Sequence, residues 1–399
     1  MNYLSNLLDG VKVEWKALGD VCDFQNGFAF KSNLFRDEGL PIVRITNIDG
    51  TNVDLSDIKY FNPSDYNSGN PINYSIVKGD ILIAMSGATT GKIGYYNLNE
   101  TAYLNQRVGK FIPNKALVNN RYLYHFLLTK TEFLNILAGG GAQPNLSSNS
   151  IKEKLEIPIP CPDNSDKSLE IQKEIVRILD TFTELTAELT AELTAELTAR
   201  KKQYNYYRNH LLSFKHKKVE WKTLDSLAEN LDSMRKPVTS GYREAGHIPY
   251  YGASGIVDYV KDYIFDGNFL LISEDGANLI ARNTPIAFSI SGKSWVNNHA
   301  HVLKFTTYSD RKFVEYYLNS IDLTPYISGA AQPKLNQKNL NSIIIPDPSP
   351  EEKERIVAIL DKFDILTTSI SEGLPKEIEL RKKQYEYYRD MLLAFPMDN

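Results

Sequence analysis

One helix-forming segment is written twice in this chain. Residues 200–214 read RKKQYNYYRNHLLSF and residues 381–395 read RKKQYEYYRDMLLAF, with 11 of 15 positions identical. The match starts earlier, because the pattern IVxILD at residues 175–180 returns at residues 356–361 without a gap. A sequence repeat of this length indicates that the chain contains two structurally similar units. The sequence therefore predicts a duplicated frame.

Shorter segments outside the helices return as well. KVEWKAL, from Lys12, recurs as KVEWKTL from Lys218, and AQPNL, from Ala142, recurs as AQPKL from Ala331. The residues between these segments diverge. We therefore expect two globular regions with a common frame and different interiors, an organisation suited to two different binding surfaces.

The repeat is also circular. Residues 7–15 echo residues 211–221, the run that joins the first long helix to the second globular region. Joining residues 392–395 to the N-terminus would recreate that junction. This pattern predicts two halves related by a pseudo-twofold axis, with two long helices antiparallel and packed together. A tandem duplication without closure is the alternative.

Composition limits the class of protein. A chain of 399 residues can form two or three domains, and 42% apolar and 24% charged residues are ordinary for a soluble protein. Two cysteines argue against a disulfide framework and fit a reducing cytoplasm. No membrane span or signal peptide is evident. Because the net charge is −4, basic groups that bind nucleic acid would have to be concentrated locally.

Apolar periodicity predicts two long helices. The first should run from a capping serine, Ser168, to about Phe214, which is roughly 70 Å at 1.5 Å per residue. The second should begin at Ser349, where a capping serine precedes a proline and two glutamates. Residues 373–375 (GLP) should interrupt it, because proline lacks an N–H donor. At the matching place the first helix carries three uninterrupted TAEL units, residues 186–197.

The regions before each helix predict an α+β fold. Short β-like runs alternate with one late amphipathic helix in each region, and a glycine-containing break follows each helix. The β-like runs lie at residues 42–45, 81–84, 269–272 and 286–288; the helices at 120–137 and 309–320; and the breaks at 139–141 and 329. The expected boundaries are 1–165 for the first globular region, 166–217 for the first helix, 218–348 for the second region and 349–399 for the second helix.

Six motifs, in this order along the chain, carry a family resemblance. They are GFAFKS at Gly27, GDILIAMSGATTGKIG at Gly79, QPNLS at Gln143, IVRILDTFTELTAEL at Ile175, YYGASG at Tyr250 and WVNNHAHVLK at Trp295. Together they resemble the specificity subunit of type I restriction-modification enzymes, in particular the type IC subclass, whose first helix carries TAEL repeats. The resemblance covers essentially the whole chain.

The resemblance implies a non-catalytic subunit that binds double-stranded DNA. Two target-recognition domains would each read one half of a bipartite, asymmetric sequence, and the helices would set the spacer between the halves. The helices would also dock two DNA-methyltransferase (modification) subunits, and restriction/translocase subunits would join in the full complex. S-adenosylmethionine, ATP and magnesium would belong to those partners, so no cofactor is expected in this chain. The implied location is cytoplasmic, without a membrane partner.

Two other functions stay open. A coiled-coil scaffold for protein partners would not bind DNA, so salt-dependent, sequence-selective DNA binding would exclude it. A self-sufficient methyltransferase would need a base-binding motif, and residues 62–66 (NPSDY) are only a distant echo of Asn-Pro-Pro-Tyr. The glycine-rich cofactor loop that should accompany that motif is missing.

Two further motifs invite functional interpretations. Residues 87–92 (GATTGK) suggest a phosphate-binding loop, but the glycine spacing is wrong and isoleucine follows the lysine. We expect a hairpin with Lys92 near DNA phosphates, or an ordinary turn. His299 and His301 fall on one face of a strand and could begin a metal site, but no third ligand is evident. Structural or polar-contact roles are therefore expected for both.

Side-chain chemistry selects candidates for DNA contact. Arginine is bidentate to guanine and asparagine or glutamine to adenine, whereas lysine, serine and threonine mostly hold phosphates. The first region offers Lys31, Arg44, Asn47, Thr89, Lys92, Gln106 and Arg107, and the second offers Arg243, Ser254, Arg282, Lys293, Asn297, Asn298 and His299.

The duplicated helix ends are candidates for partner binding. Tyrosines lie on nearly every face of each end, more than one pair of helices can bury. A solvated basic face and direct phosphate contact are the alternatives. The selected residues are Tyr204, Tyr207 and Arg208 in the first copy, and Tyr385, Tyr388 and Arg389 in the second.

Overall fold

The chain separates into two compact units. Unit 1 comprises residues 1–190 and 379–399, and unit 2 comprises residues 191–378. The computed structural model describes residues 10–67, 69–139, 144–214, 218–329, 332–368 and 372–395. Outside those ranges lie Gly140 and Gly141 of the predicted glycine break, and Ala142, Gln143 and Ala331 of the repeated AQP segments.

Unit 1 combines antiparallel-rich sheets with short helices. Two sheets have four strands each, in the orders β2-β9-β6-β7 and β4-β3-β8-β5, and β1 pairs with β10. The strands are β1 (Val13–Ala17), β2 (Cys22–Asn26), β3 (Leu40–Val43), β4 (Lys59–Phe61), β5 (Ser75–Ile76), β6 (Ile81–Ala84), β7 (Ile93–Tyr95), β8 (Ala102–Leu104), β9 (Val108–Pro113) and β10 (Glu156–Pro160). The helices are α1 (Leu18–Val21), α2 (Asn120–Leu128), α3 (Thr131–Leu137), α4 (Ser148–Lys154) and the first part of α5 (Ser165–Leu211).

Unit 2 follows a similar plan with one larger sheet. Its six-stranded sheet has the order β12-β17-β15-β16-β13-β14, and β11 pairs with β18. The strands are β11 (Glu220–Thr223), β12 (Glu229–Asn230), β13 (Ala245–Gly252), β14 (Gly255–Val260), β15 (Phe265–Ser273), β16 (Ala287–Val296), β17 (Ala300–Lys304) and β18 (Ile344–Asp347). The helices are α6 (Leu224–Leu227), α7 (Asn278–Ala281), α8 (Tyr308–Ser320), α9 (Gln337–Asn341), α10 (Pro350–Thr368) and the start of α11 (Leu374–Leu392).

The two units share their strand pairing. In unit 1, β6 pairs antiparallel with β7 and β9, while β3 pairs parallel with β8. In unit 2, β15 pairs antiparallel with β16 and β17, while β13 pairs parallel with the same β16. Strand β16 in unit 2 therefore takes the positions that β7 and β8 occupy in unit 1. Because β16 is continuous, unit 2 has one six-stranded sheet where unit 1 has two four-stranded sheets.

In each unit the repeated KVEWK segment pairs with the strand that precedes the long helix. The VEWKA strand lies antiparallel to EIPIP, with Trp15 opposite Pro158. Its copy lies antiparallel to IIPD, with Trp221 opposite Pro346. The C-terminal Phe395 joins the same core as Val13, and Phe214 joins the core of unit 2. In each unit, the described residues of the repeated segments therefore contribute to that unit's own core; residues 7–9 and 215–217 of these segments lie outside the described residues.

The cap of the first long helix lies four residues earlier than predicted. Asn164, not Ser168, is the capping residue, since its carbonyl Oδ1 accepts from the backbone N–H of Lys167 at 3.1 Å. Ser168 lies inside the first turns, buried, with its hydroxyl accepting from Gln172 Nε2 at 3.1 Å. Burial of a hydroxyl within a helix needs such a partner, and the sequence pattern does not show which of the two residues supplies the cap.

The second long helix starts where the sequence predicts and is interrupted just before the predicted place, since of the GLP segment only Gly373 lies between the two helices. Ser349 Oγ accepts from the N–H of Glu352 at 3.4 Å, at the start of α10. Helix α10 ends at Thr368 and α11 begins at Leu374. A Cβ atom on Gly373 would lie 2.4 Å from the carbonyl oxygen of Ile365, so only glycine fits where the chain folds back onto α10.

The late helix of unit 1 is two helices, which corrects the prediction of one over 120–137. Helix α2 ends at Leu128 and α3 begins at Thr131, since Lys130 leaves the helical conformation with φ −105° and ψ 8°. The apolar stripe continues through this break, so periodicity alone cannot reveal it. In unit 2 the predicted helix over 309–320 is confirmed as α8.

Each unit packs segments of both long helices together. In unit 1, Phe182 stacks on Tyr388 with ring centroids 5.8 Å apart, and Thr183 Oγ1 donates to Tyr385 Oη at 3.0 Å. In unit 2, Phe363, at the repeat position of Phe182, stacks on Tyr207 at 5.5 Å. The repeated helix ends therefore make the same kind of contact in the two units.

One repeated aspartate ties each long helix to its globular region. In unit 1, Asp180 on α5 accepts from His125 Nε2 at 2.8 Å and from Arg121. In unit 2, Asp361 on α10 occupies the repeat position and accepts from the hydroxyls of Tyr308 at 2.8 Å and Tyr316 at 2.5 Å. The acceptor is kept between the units while the donors differ.

The Asp180 contact predicts a pH-dependent stability. Burial would raise the pKa of this carboxyl, but the hydrogen bonds from His125 and Arg121 and the charge of Arg121 outweigh it and lower the pKa from 3.8 to about 2. A lowered folded-state pKa stabilises the fold above the unfolded value, and this stability is lost as pH falls through the folded pKa. Asp180→Asn should therefore cost about 1–3 kcal/mol near neutral pH and progressively less from pH 3.8 towards 2.

Urea unfolding at pH 7 and near pH 3 would measure this difference. Asp163→Asn is the matched control, because that exposed carboxylate makes only a 3.4 Å surface pair with Lys12. A cost for Asp180→Asn that stays the same at both pH values would contradict the proposed charge effect.

Candidate nucleic-acid interface

The GATTGK segment is a hairpin loop between β6 and β7. A short 3-10 turn over Gly87–Thr89 reverses the chain, and Gly87 adopts φ 79°, a conformation that glycine accepts without strain. A strand, not a helix, follows the loop, so it lacks the architecture of a phosphate-binding loop. The predicted hairpin is confirmed.

The residues after β6 lie between two other segments of unit 1. Met85 donates its N–H to the carbonyl of Arg107 at 2.8 Å, and its own carbonyl accepts from Leu146 at 2.7 Å. Gly87 donates to the carbonyl of Pro144 at 3.2 Å. We call the three segments, residues 85–87, 105–107 and 144–146, the loop edge of unit 1.

Unit 2 repeats this arrangement bond for bond. Glu274 donates to the carbonyl of His299 at 2.9 Å and accepts from Leu335 at 2.7 Å. Gly276 donates to the carbonyl of Pro333 at 3.2 Å. We call residues 274–276, 297–299 and 333–335 the loop edge of unit 2. The AQPNL and AQPKL repeats thus end in the same structural place.

The matched loop edges keep some side chains and change others. Asn105 and Asn297 occupy one position, and each accepts from the backbone N–H two residues on, at 3.4 and 2.8 Å. Leu146 and Leu335 are buried in their cores. Four matched positions differ while remaining exposed or half-buried: Ser86 with Asp275, Gln106 with Asn298, Arg107 with His299, and Asn145 with Lys334.

In unit 2 the side chains of the loop edge meet directly. His299 Nδ1 lies 2.8 Å from a carboxylate oxygen of Asp275. Lys334 Nζ lies 3.1 Å from the carboxylate of Glu274, which Arg235 also contacts at 2.6 Å. Burial would raise the pKa of Glu274, but the hydrogen bond from Arg235 and the neighbouring positive charges lower it. This acid therefore stays ionised and organises the cations around it.

Several predicted residues of unit 1 gather around its loop edge. Gln106 and Arg107 are exposed on the edge itself, and the Gln106 N–H donates to Phe28 in the segment that leads to exposed Lys31. Thr89 and Lys92 belong to the hairpin loop, and both are half-buried.

Two predicted residues of unit 1 are occupied by protein partners. Asn47 is buried, and its side chain bonds to the backbone of Arg44, Asp54 and Asp57. Arg44 donates to the carbonyl of Asp57 at 3.1 Å. In this conformation the Asn47 amide shapes the loop and cannot be offered to a base edge.

The predicted residues of unit 2 are more scattered. Asn298 and His299 are exposed on the loop edge, whereas Asn297 is buried there as a backbone cap. Ser254 is exposed in the turn between β13 and β14, and Lys293 lies over the ring of Tyr263 at 4.5 Å.

The two predicted arginines of unit 2 already have partners. Arg243 stacks on Tyr250 with its guanidinium carbon 4.3 Å from the ring centroid, and pairs with Asp258 at 2.9 Å. Arg282 ends α7 in a left-handed conformation, φ 54°, and donates to the carbonyl of Ile321 at 2.8 Å. Both side chains therefore make structural contacts within unit 2.

The His-Ala-His segment has no metal-site geometry. His301 is fully buried, with Nδ1 2.6 Å from Asp232 and Nε2 2.7 Å from the carbonyl of Leu335. His299 faces Asp275 instead. Within the described residues, no group of three or more His, Cys, Asp or Glu side chains could hold a metal ion. The expected structural role of His301 is confirmed.

The structure adds four candidates that residue type alone does not single out. They are Ser86, Asn145, Asp275 and Lys334. The sequence contains a usable signal for two of them, because Asn145 and Lys334 are the one varying position in an otherwise identical AQPxL repeat. Ser86 and Asp275 become visible only through strand pairing.

A second pair of tyrosines at the helix ends is more exposed than the predicted ones. Tyr207 and Tyr388 are 38% and 37% exposed while stacked on phenylalanines, and Tyr385 is half-buried. Tyr206 and Tyr387 are the repeat partners with 65% and 66% exposure.

The predicted helix-end residues otherwise lie against their own neighbours. Tyr204 is half-buried against the unit 2 core, which raises the pKa of its hydroxyl to about 12. Arg208 lies 5.6 Å from the Tyr204 ring, and Arg389 lies 5.9 Å from the Tyr385 ring.

Comparison with known proteins identifies the family. The family described as "Type I restriction modification DNA specificity domain" matches residues 11–199 and 216–380, one match for each copy of the repeat. The chain belongs to the type I restriction-modification specificity family. Its function is therefore DNA target recognition in a type I restriction-modification system.

Relatives of this specificity subunit match it nearly end to end. The specificity subunit of type I restriction enzyme EcoR124I/EcoR124II from Escherichia coli is 36% identical, over 99% of this chain and 98% of its own length. The EcoprrI specificity subunit, also from Escherichia coli, is 35% identical over 93% and 92%. A chain from a structural study of type I restriction-modification assembly shares the fold, with a TM-score of 0.64, 16% identity and coverage of 96% and 98%.

Among the helices in the described ranges of this specificity subunit, none is long and apolar enough to cross a membrane.

Proposed function

We propose that each unit of this specificity subunit reads one half of a bipartite, asymmetric double-stranded DNA target. The recognition domains are residues 1–165 and 218–348, and helix α5 with its TAEL units sets the spacer between the half-sites, as in the type IC subclass. The single observation that carries this proposal is the pair of loop edges, which share their backbone hydrogen bonds but differ in their side chains. Two loop edges with the same backbone structure and different side chains are suited to reading two different half-sites.

Local charge supports DNA as the ligand despite the acidic chain. Arg107 lies on the loop edge of unit 1, Lys92 ends the adjoining hairpin loop, and exposed Lys31 follows three residues after Phe28, which bonds to the edge; we propose that these cations neutralise phosphates or reach base edges. Such local cations supply the affinity that a net charge of −4 does not.

The proposed assembly includes two DNA-methyltransferase subunits docked on the two repeated helix ends. Restriction/translocase subunits join them in the full complex, and those partners carry the catalysis with S-adenosylmethionine, ATP and magnesium. Two equivalent surfaces are supported by the matched stacking of Phe182 and Phe363 on tyrosines in the two units. The shared core of the N-terminal strand and Phe395 supports the circular, pseudo-twofold arrangement with antiparallel helices.

A domain exchange tests the bipartite reading. Residues 218–347 are replaced by the matching domain of a relative, and the chain is co-expressed with its methyltransferase. Sequencing of methylated DNA should show one half of the motif changed and the other intact. The reciprocal exchange of the first domain, which should change the other half, is the control. Changes in both halves from one exchange would contradict independent reading, and a complete lack of DNA binding would favour a scaffold.

A further inference from the structure

We propose that three matched positions on the loop edges determine which bases each unit reads. The inference rests on the proposed function, and it assigns specificity to a small set of side chains within it. The positions are Ser86, Arg107 and Asn145 in unit 1, and Asp275, His299 and Lys334 in unit 2.

The contrast between fixed and varied residues supports this assignment. The backbone bonds around Met85 and Glu274 are the same, and the anchoring Leu146 and Leu335 are 3% and 0% exposed. The proposed positions stand on this fixed backbone: Arg107, Asn145, His299 and Lys334 are exposed, and Ser86 and Asp275 are half-buried. A recognition surface needs this separation, because rigid placement allows a side-chain exchange to change the base that is read.

The dimensions of the loop edge suit the major groove. Neighbouring paired segments are about 4.8 Å apart, so three adjacent segments span about 10 Å. The major groove is about 12 Å wide, and 10 Å covers about three base pairs at 3.4 Å each. In unit 2 the side chains of His299 and Asp275 touch at 2.8 Å, so the positions lie within reach of one another.

The chemistry of unit 1 is dominated by a donor. Arg107 is exposed and can place two N–H groups on the O6 and N7 atoms of guanine. Ser86 lies beside it with a buried hydroxyl that has no hydrogen-bond partner within the described ranges. Asn145 carries an amide, which matches the N6 and N7 atoms of adenine. We therefore expect a guanine in the half-site of unit 1 at the position that Arg107 reads.

The chemistry of unit 2 is centred on an acceptor. The Asp275 carboxylate is half-buried and oriented by His299, so it can accept from the N4 amino group of cytosine. Lys334 is already held by Glu274, which places its charge beside the same site. We therefore expect a cytosine read by Asp275 in the half-site of unit 2.

Conservative substitutions test the inference on the full chain. Arg107→Lys keeps the charge but loses the bidentate geometry, and Asp275→Asn keeps the shape but exchanges an acceptor for a donor. Purified variants select from a randomised double-stranded DNA library, and the bound fraction is sequenced. Arg107→Lys should weaken one base preference in one half-site by about 5- to 150-fold, and Asp275→Asn should do the same in the other.

Lys115→Ala is the matched control. It removes an exposed charge just beyond the far end of β9 from the loop edge and should leave both half-sites unchanged. Melting temperature and binding to a non-specific duplex show that each variant is folded. If folded Arg107→Lys and Asp275→Asn select the parental motif unchanged, these positions do not determine specificity, while a bipartite parental motif still upholds the proposed function. If the parental chain selects no motif, the proposed function fails and the inference with it.

Discussion

Deletion of residues 190–193, one of the three TAEL units, is expected to shorten the unspecified spacer of the DNA target by one base pair. Four residues advance a helix by about 6 Å and leave a net rotation of about 40°. One base pair advances DNA by about 3.4 Å and rotates it by about 35°. Rotation therefore matches one unit to one base pair, whereas translation overshoots by a few ångströms that tilt or DNA bending must absorb.

The structure allows this deletion without breaking a core. Helix α5 is continuous from Ser165 to Leu211, and no residue between 181 and 200 is buried. The variant should methylate the same two half-sites at the new spacing and lose methylation of the parental target. Replacing residues 190–193 by four alanines keeps the helix length and should keep the parental spacer. A deletion variant with the parental spacer, or with an altered half-site, would show that the TAEL units do not set the distance.

Loss of both exposed tyrosines, Tyr206→Ala with Tyr387→Ala, is expected to abolish binding of methyltransferase subunits. These side chains project at repeat positions and are about two-thirds exposed, so their removal should leave each unit folded. Buried tyrosines at an interface commonly contribute about 2 kcal/mol or more each. Either single variant should retain one partner subunit, because the other helix end remains intact.

Native mass spectrometry of the co-expressed complex measures this stoichiometry. Tyr242→Ala removes a tyrosine that is 85% exposed in unit 2 but lies away from the helix ends, and it should retain two partners. Tyr204→Ala provides a second comparison, since that half-buried side chain should lower stability more than assembly. Two partners on the double variant would assign docking to another surface.

The sequence predicts the long helices well because the signals that start and interrupt a helix are local. The capping serine at 349 acts within a few residues and begins α10 as predicted, and the GLP segment at 373–375 correctly indicates an interruption, which lies between Thr368 and Leu374. The cap of α5 is four residues from the predicted one because two side chains in the same segment, Asn164 and Ser168, can both cap a helix. Local sequence signals therefore predict that a helix is present more reliably than they predict its first residue.

The candidate site is harder to predict because its contacts are distant in sequence. His299 and Asp275 are 24 residues apart and meet only through the pairing of β15 and β17. Conversely, Asn47 and Arg282 have suitable chemistry for reading bases, yet backbone carbonyls in their own units occupy them. Residue type reveals what a side chain can bind, whereas strand register decides whether it is free to do so.

The repeated aspartate has a consequence for how new specificities arise. Asp180 is held by an arginine and a histidine, while Asp361 is held by two tyrosines, so the acceptor does not demand one particular donor. A recognition domain acquired by recombination needs only to bring some hydrogen-bond donor to that carboxylate. The helices can thus bind recognition domains of different sequence through the same aspartate. Unrelated domains can therefore be exchanged in evolution without changes in the helices.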